Sequence, residues 1–359
     1  MVNTIFDSKT NDDKEKNRKC SITTLSSHCS LQVLKGAKDE GFKTILICEE
    51  KRLKFYKRFK FIDDFIILNN FREIVHGRIQ NEINQKNAIL IPHGTLISSL
   101  NSEEIEKLNI PIFGNKWILR WESDRLLKQK LMEESLLNTP KPVKNKFEIK
   151  NLSIVKLNGA AGGKGYFLAW DKKSFESGAS NLINQKMIKD EDELYIQEFI
   201  MGVPVYFQFF YSPITDNIEL LGIDRRYESD IDGIGRIPST TQLNAVIEPT
   251  YQVIGNFPLV LRESLLYEAY EMGERFVKVS KKMISPGMNG PFCLEGVYDR
   301  NGKFTTFEFS ARIVAGTNLY VGGSPYSDLL YDEPMSMGKR IAKEIKLALQ
   351  TDNLSKIVT

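Results

Sequence analysis

The sequence predicts a mixed α/β and α+β protein: a domain built on a parallel sheet, followed by a strand-rich domain that carries a glycine-rich lid. Three observations predict it. Strand and helix patterns alternate from residue 20 to about 122, the order that builds a parallel sheet with helices on its faces. From 152 onward strand patterns follow one another with few helices between them. Residues 159–165, Gly-Ala-Ala-Gly-Gly-Lys-Gly, join two of those strands.

Residues 1–19 form a polar segment, with Asn-Asp-Asp-Lys-Glu-Lys-Asn-Arg-Lys at 11–19. That composition is unlike a signal peptide. Ser21–Leu25 then reads as a strand, 31–40 as a helix, 44–48 as a strand, 71–84 as a helix and 88–92 as a strand. Ligands of parallel sheets collect just beyond the carboxyl ends of the strands. Those ends read Leu25-Ser26-Ser27-His28 and Pro92-His93-Gly94-Thr95, so two of the three histidines fall there. A single strand-end histidine is more often a structural hydrogen-bonder. Two hydroxyl-plus-histidine loops at equivalent positions favour a substrate pocket. His76, at a helix end, is assigned no role.

Ser123-Asp124 caps a helical run over 125–136 that Pro140 closes. The domain boundary is therefore expected near 122, giving an N-terminal segment 1–19, a substrate-binding domain 20–122 and a second domain 123–359 with its lid at about 140–200. Strands are expected at 152–157, 166–170, 194–199, 204–211 and 218–227, and helices at 172–187, 261–283 and 335–350.

Composition narrows the function classes. Lys+Arg of 49 against Asp+Glu of 46 gives a net charge of +3, which argues against a broad nucleic-acid surface. The densest basic run, 51–60, interleaves Phe55, Tyr56 and Phe59 with cations, but Asp63 and Asp64 follow at once. It reads as a solvated face or a local site for an anionic metabolite. No stretch approaches the ~18 apolar residues of a membrane span. Cys20, Cys29, Cys48 and Cys293 lack CxxC spacing and read as reduced thiols, the pattern of a soluble cytoplasmic protein.

Residues 292–298 and 303–311 alternate in polarity around Asn301-Gly302, a hairpin signal. Each strand carries one acidic residue expected to point inward, Glu295 and Glu308, the latter between Phe307 and Phe309. Two carboxylates on paired strands repel unless a cation lies between them. With Arg312 four positions on, this suggests Mg²⁺-assisted phosphoryl chemistry; a half-exposed hairpin with ordinary charges stays open from the hairpin alone. The lid loop is neither a Walker A motif nor a dinucleotide turn. Its glycines can turn backbone N–H groups toward an anion, with Lys156 facing phosphates and Lys164 at the tip. A surface hairpin without a ligand is the alternative. Tyr195-Ile-Gln-Glu-Phe-Ile-Met-Gly202 can present backbone groups to an adenine edge.

The order of these features (a lysine-bearing helix, Lys156, the glycine lid, Gln197-Glu198, Glu295 and Glu308, Arg312) resembles the ATP-grasp superfamily. Its last motif often reads Glu-x-Asn-x-Arg, whereas this chain has Glu308-Phe-Ser310-Ala-Arg312. Further strings are similar to archaeal 5-formaminoimidazole-4-carboxamide ribonucleotide (FAICAR) synthetases. They are Ser27-His28 with Leu34-Lys-Gly-Ala-Lys38, Pro92-His-Gly94, Phe113-Gly-Asn115 with Leu119-Arg-Trp-Glu-Ser123, Arg226-Tyr-Glu228-Ser, Gly255-Asn256 with Arg262-Glu-Ser-Leu-Leu266, and Ser310-Ala-Arg312 with Gly316-Thr-Asn318. The matches run in order from about residue 20 to the C-terminus.

The resemblance implies a pre-ATP-grasp domain followed by an ATP-grasp domain. The implied activity is formylation of 5-aminoimidazole-4-carboxamide ribonucleotide (AICAR) to FAICAR by formate and ATP, with ADP and phosphate released. It implies AICAR contacts from His28, Thr95 and Asn256, and ATP contacts from Lys130, Lys156, Gly162, Gly163, Gln197, Glu198 and Glu228. Glu295 and Glu308 would hold Mg²⁺ or Mn²⁺, and Arg312, His28 and Lys156 would act in catalysis. The expected partners are these small molecules in a homo-oligomer, with neither nucleic acid nor membrane. An ATP-grasp ligase for another acid and amine, or a non-catalytic nucleotide-binding module, are the alternatives.

Overall fold

The computed structural model describes residues 20–157, 166–244 and 252–359. Its described strands form three sheets. The first holds β1 (Ser21–Leu25), β2 (Lys43–Glu49), β3 (Asp64–Leu68) and β4 (Ala88–Leu90) in the order β3-β2-β1-β4, every pair parallel. All five residues of β1 are buried, the signature of a strand covered on both faces. Of its two threonines, Thr24 satisfies its buried hydroxyl by donating Oγ1 to the Ile91 carbonyl at 2.9 Å, whereas Thr23 Oγ1 is buried without a partner among the described residues.

Several elements here differ from expectation, the strand β3 among them. The segment expected as one helix over 71–84 is a 3₁₀ turn, Phe71–Val75, and a helix, Gly77–Gln85, divided at His76. Asn70 caps the first piece by accepting from Arg72 N–H, and His76 is extended, which ends it. The basic run contains the helix Glu50–Tyr56, whose cations face solvent while Tyr56 is buried.

β5 (Pro142–Val143), β6 (Ser153–Leu157), β7 (Tyr166–Ala169) and β8 (Leu194–Glu198) form a second, antiparallel sheet in the order β5-β8-β6-β7. The helix Lys172–Asn184 covers it, burying Phe175, Ala179 and Leu182. The glycine loop joining β6 to β7, with Gly162, Gly163 and Lys164, lies outside the described residues.

The third sheet is antiparallel, β11-β10-β9-β12-β13, from β9 (Val203–Ser212), β10 (Asn217–Glu228), β11 (Val253–Pro258), β12 (Gly290–Tyr298) and β13 (Phe304–Ser310). Stacked Phe209, Phe292 and Phe276 join it to the helix Leu266–Met283. The β12–β13 hairpin forms as the sequence predicts, with Gly302 in the left-handed region (φ 74°) that the turn requires. β11 was not foreseen: Gly255-Asn256 lies in an edge strand, Asn256 opposite Arg226, rather than in a loop.

The chain end returns to the first sheet. Helix Met337–Gln350 packs on helix Ser30–Asp39, burying Ile341 and Ile345 in one cluster with Ile22, Val33 and Ile89. Both helices use glycine at the crossing: a Cβ on Gly36 would strike the backbone of Lys339, and one on Gly338 the backbone of Gln32. Thr359 and Ile112 then exchange backbone hydrogen bonds of 2.9 and 3.0 Å.

Candidate active site

β1 ends in a loop whose backbone is unusual for its residues. Ser27 and His28 both have positive φ, 97° and 44°, conformations that cost free energy unless the surroundings hold them. Ser27 N–H donates to Tyr56 Oη at 2.8 Å, and Asn318 Nδ2 donates to the His28 carbonyl at 3.0 Å. Tyr56 from the basic run and Asn318 from the C-terminal part thus place His28.

The second strand-end histidine has a different role. His93 is buried, its Nε2 donates to the Leu25 carbonyl at 2.8 Å, and its Nδ1 accepts from Thr95 N–H. Burial pushes its pKa down to about 3, so it is a neutral post that ties the two loops together. The His28 ring stands edge-on to it, centroids 5.7 Å apart, and a Cβ on Gly94 would come within 2.8 Å of His28 Nε2. Thr95 is buried in the first turn of the helix Gly94–Ser99.

His28 faces a cavity of about 580 Å³ whose opposite wall is the third sheet: Gln208, Asp224, Arg226 and Asn256, with Arg312 beside them. Partial desolvation against the cavity wall and the Arg312 charge lower the pKa of the His28 ring, which favours its neutral form. Arg312 Nη2 pairs with buried Glu122 at 2.9 Å, while Glu122 also accepts from Ala311 N–H at 2.8 Å. Arg312 Nε is buried without a partner among the described residues. Asp224 is pushed up to about 6 by burial, against the hydrogen bonds it accepts from Gln208 and Asn256.

The acidic hairpin adjoins this cavity. Glu295 and Glu308 are direct cross-strand partners in β12 and β13, so their side chains share one face. The cations that reconcile them are ones sequence reasoning did not place. Arg226 Nη2 reaches Glu295 Oε2 at 2.5 Å, its guanidinium lying 4.2 Å over the Tyr206 ring. Ser310 Oγ donates to Glu295 Oε1 at 2.9 Å, so Ser310 supports the carboxylate. Lys128 pairs with Glu308. Burial would raise the Glu308 pKa, but Lys128, Arg226 and Lys156 outweigh it and bring it down to about 2. Arg226 was legible as a cation in β10 in step with Asp224 and Glu228; its partner was not.

Lys156, on β6, lies 6.0 Å over the Phe307 ring, and burial brings its pKa down to about 8 despite Glu308. On the helix Arg125–Glu134 it is Lys128 that faces the site; Lys130 is exposed, because a two-residue step turns a helix by about 200°. Gln197 is buried in β8 and Glu198 is exposed at its end. Glu228 ends β10 after a bulge, its pKa raised by burial against the pull of Arg226. The structure therefore gathers His28, Asn256 and Arg312 on the cavity, sets Glu295, Glu308 and Lys156 beside it, and leaves Lys130 outside. The site residues Glu295 and Glu308 supply hard oxygen donors of the kind Mg²⁺ and Mn²⁺ take.

Among the described residues no helix is long and apolar enough to cross a membrane. Two family descriptions match the chain, "Protein of unknown function (DUF1246)" over residues 22–143 and "Domain of unknown function (DUF1297)" over 174–359. A Nitrosopumilus maritimus protein named 5-formaminoimidazole-4-carboxamide-1-(beta)-D-ribofuranosyl 5'-monophosphate synthetase is 59% identical, covering 94% of this chain and 99% of its own length. The crystal structure of an IMP biosynthesis protein PurP from Thermococcus kodakaraensis matches with a TM-score of 0.75 and 32% identity, over 94% of this chain and 100% of that one. Staphylococcus aureus N5-carboxyaminoimidazole synthetase complexed with ADP shares the fold alone, with a TM-score of 0.64 and 14% identity over 92% and 78% of the chains. The parallel first sheet, the two antiparallel sheets and this likeness together make the fold ATP-grasp, and the chain belongs to the 5-formaminoimidazole-4-carboxamide ribonucleotide synthetase family.

Proposed function

We propose that this chain joins formate to the 5-amino group of AICAR, forming FAICAR while ATP becomes ADP and phosphate. The observation that carries the reading is the meeting of His28, Asn256 and Arg312 on one cavity, beside the Glu295–Glu308 hairpin. One side suits an uncharged heterocycle, the other a polyphosphate.

Formate resists amines because hydroxide is a poor leaving group. Attack of a formate oxygen on the γ-phosphorus of ATP gives formyl phosphate and ADP, a step governed by positioning and charge neutralisation. Lys156 and Arg312 would serve it, and the unpartnered Arg312 Nε suits an anionic oxygen. Two opposed carboxylates, of which Glu308 is held ionised by neighbouring cations, fit a divalent metal, so Glu295 and Glu308 would hold Mg²⁺ or Mn²⁺. Bound there, the metal would neutralise phosphate charge. The amine then attacks the formyl carbon, the carbon–oxygen bond to phosphate breaks, and the amine proton leaves. Neutral His28 is able to accept it. Holding amine and acyl phosphate together can contribute roughly 7–11 kcal/mol.

On this reading AICAR meets His28, Thr95 and Asn256, and ATP meets Lys156, Gln197, Glu198 and Glu228, with Gly162 and Gly163 of the lid and Lys130 as outlying candidates. The four free, buried cysteines support the expected cytoplasmic location. Exposed Phe257 on the outer edge strand β11 supports the expected homo-oligomer. The test is ADP release with formate and AICAR each present or withheld. Dependence on both is expected; AMP with pyrophosphate, or no turnover with AICAR present, overturns the reading.

A further inference from the structure

We infer that Asp224 is a positioning residue that makes the cavity recognise the carboxamide of its nucleotide by presenting amide oxygens to it. Asp224 is buried in β10. Its Oδ1 accepts from Gln208 Nε2 at 2.5 Å and its Oδ2 from Asn256 Nδ2 at 2.7 Å. All three residues line the cavity. Gly316 is seated against the same carboxylate: a Cβ there would lie 2.5 Å from Asp224 Cγ, so only glycine leaves Asp224 its place.

A primary amide has a donor end and an acceptor end, and nothing intrinsic decides which faces a ligand. An ionised carboxylate accepts only. Both amides must therefore turn their NH₂ groups to Asp224. Asn256 Oδ1 and Gln208 Oε1 are left over, unpaired with any group among the described residues. Two acceptors held in one orientation bind N–H donors. The AICAR carboxamide NH₂ and 5-amino group are such donors. A 4-carboxylate in place of the carboxamide would bring acceptor against acceptor, and the site would reject it. This rests on the AICAR reading of the cavity.

The test is calorimetric binding of AICAR and of its 4-carboxylate analogue to the full-length wild type, Asp224→Asn and the double variant Asp224→Asn/Asn256→Asp. In the single variant the introduced amide must offer its own NH₂ to one neighbour, which turns over and shows a donor to the cavity. AICAR should weaken by about 10- to 100-fold, the cost of an unpaired buried polar group, and the preference for carboxamide over carboxylate should fall with it. ATP affinity and melting temperature should hold. The double variant restores an acceptor at position 256 and should recover most of the AICAR affinity. Unchanged AICAR affinity in Asp224→Asn, with wild type binding AICAR normally, overturns the positioning role and leaves the function standing. So does a joint loss of AICAR binding, ATP binding and melting temperature that the double variant fails to recover. Failure of the wild type itself to bind AICAR overturns the reading of the cavity and this inference with it.

Discussion

The two sides of the central cleft hold their polar groups by different means. Around His28 and Asn256 hydrogen bonds set the directions of neutral groups: His93 fixes one loop, Tyr56 and Asn318 another, and the Asp224 carboxylate orients two amides. Around Glu308 the groups are ions, with Lys128, Lys156 and Arg226 balancing Glu308 and Glu295. The difference follows from the ligands each side is proposed to take. A heterocycle with amide and amine groups is recognised by hydrogen-bond direction, whereas a triphosphate is recognised by charge. Arg312 lies on the boundary, paired to Glu122 yet close enough to lower the His28 pKa.

If the sides are chemically separate, their losses should be separable too. The largest effect is expected from Glu308→Gln. It should lower turnover by at least about 100-fold and weaken Mn²⁺ binding to the nucleotide complex, read by paramagnetic resonance, while AICAR binding survives. Near wild-type turnover at ordinary Mg²⁺ would reduce the hairpin carboxylates to ordinary ion-pair partners of Arg226 and Lys128.

His28→Ala should lower formyl transfer by about 100-fold and weaken AICAR binding, with ATP affinity and melting temperature nearly unchanged. Because His28 has a φ of 44°, His28→Asn is the companion variant that tolerates the backbone best. Joint loss of ATP binding and thermal stability in both would make His28 structural and merge the two sides.

A smaller effect comes from pH. Lys156, at about 8 rather than 10.5, loses its charge as pH rises, so kcat/KM for ATP should fall above about 8 while AICAR affinity stays level. Lys156→Arg should move that limb to higher pH. Stability should run the other way. Between about 8 and 10.5 the unfolded chain binds the proton that the folded one has lost, so this site favours folding more as pH rises. A flat ATP profile from pH 7 to 9.5 would remove Lys156 from the phosphates.

Gly338→Ala should leave both sides chemically intact yet cost about 1–3 kcal/mol of stability, read as a lower melting temperature, because its Cβ meets the Gln32 backbone. Gln32 also hydrogen-bonds Thr317 and Asn318, the latter holding His28. Any kinetic change should therefore be in KM for AICAR. A change confined to KM for ATP would contradict the division.

Local signals carried much of this. Alternation and strand-end hydroxyl–histidine pairs marked the first sheet, and Asn301-Gly302 with two period-2 flanks marked the hairpin; a bulge at Phe307, which the alternation does not show, is what sets Glu308 opposite Glu295. β3 and β11 were missed. β3 follows directly on the basic run, and β11 is an edge strand whose Val253, Ile254 and Phe257 stay exposed, so it lacks the buried face that makes a strand readable.

By itself the sequence determined the order of elements, the turn chemistry and the cast of ionisable groups, since each depends on residues within a few positions of one another. Tertiary structure alone decided which groups act together. It chose Lys128 over Lys130 by helix phase, brought Arg226 across the one intervening strand β9 to Glu295, and made His93 a buried post beside an open His28. It also carried the last helix back to the first sheet, where Gly36 and Gly338 let two backbones touch. Those outcomes depend on contacts between residues up to about 300 positions apart in the chain, and close packing, rather than local pattern, selects such contacts.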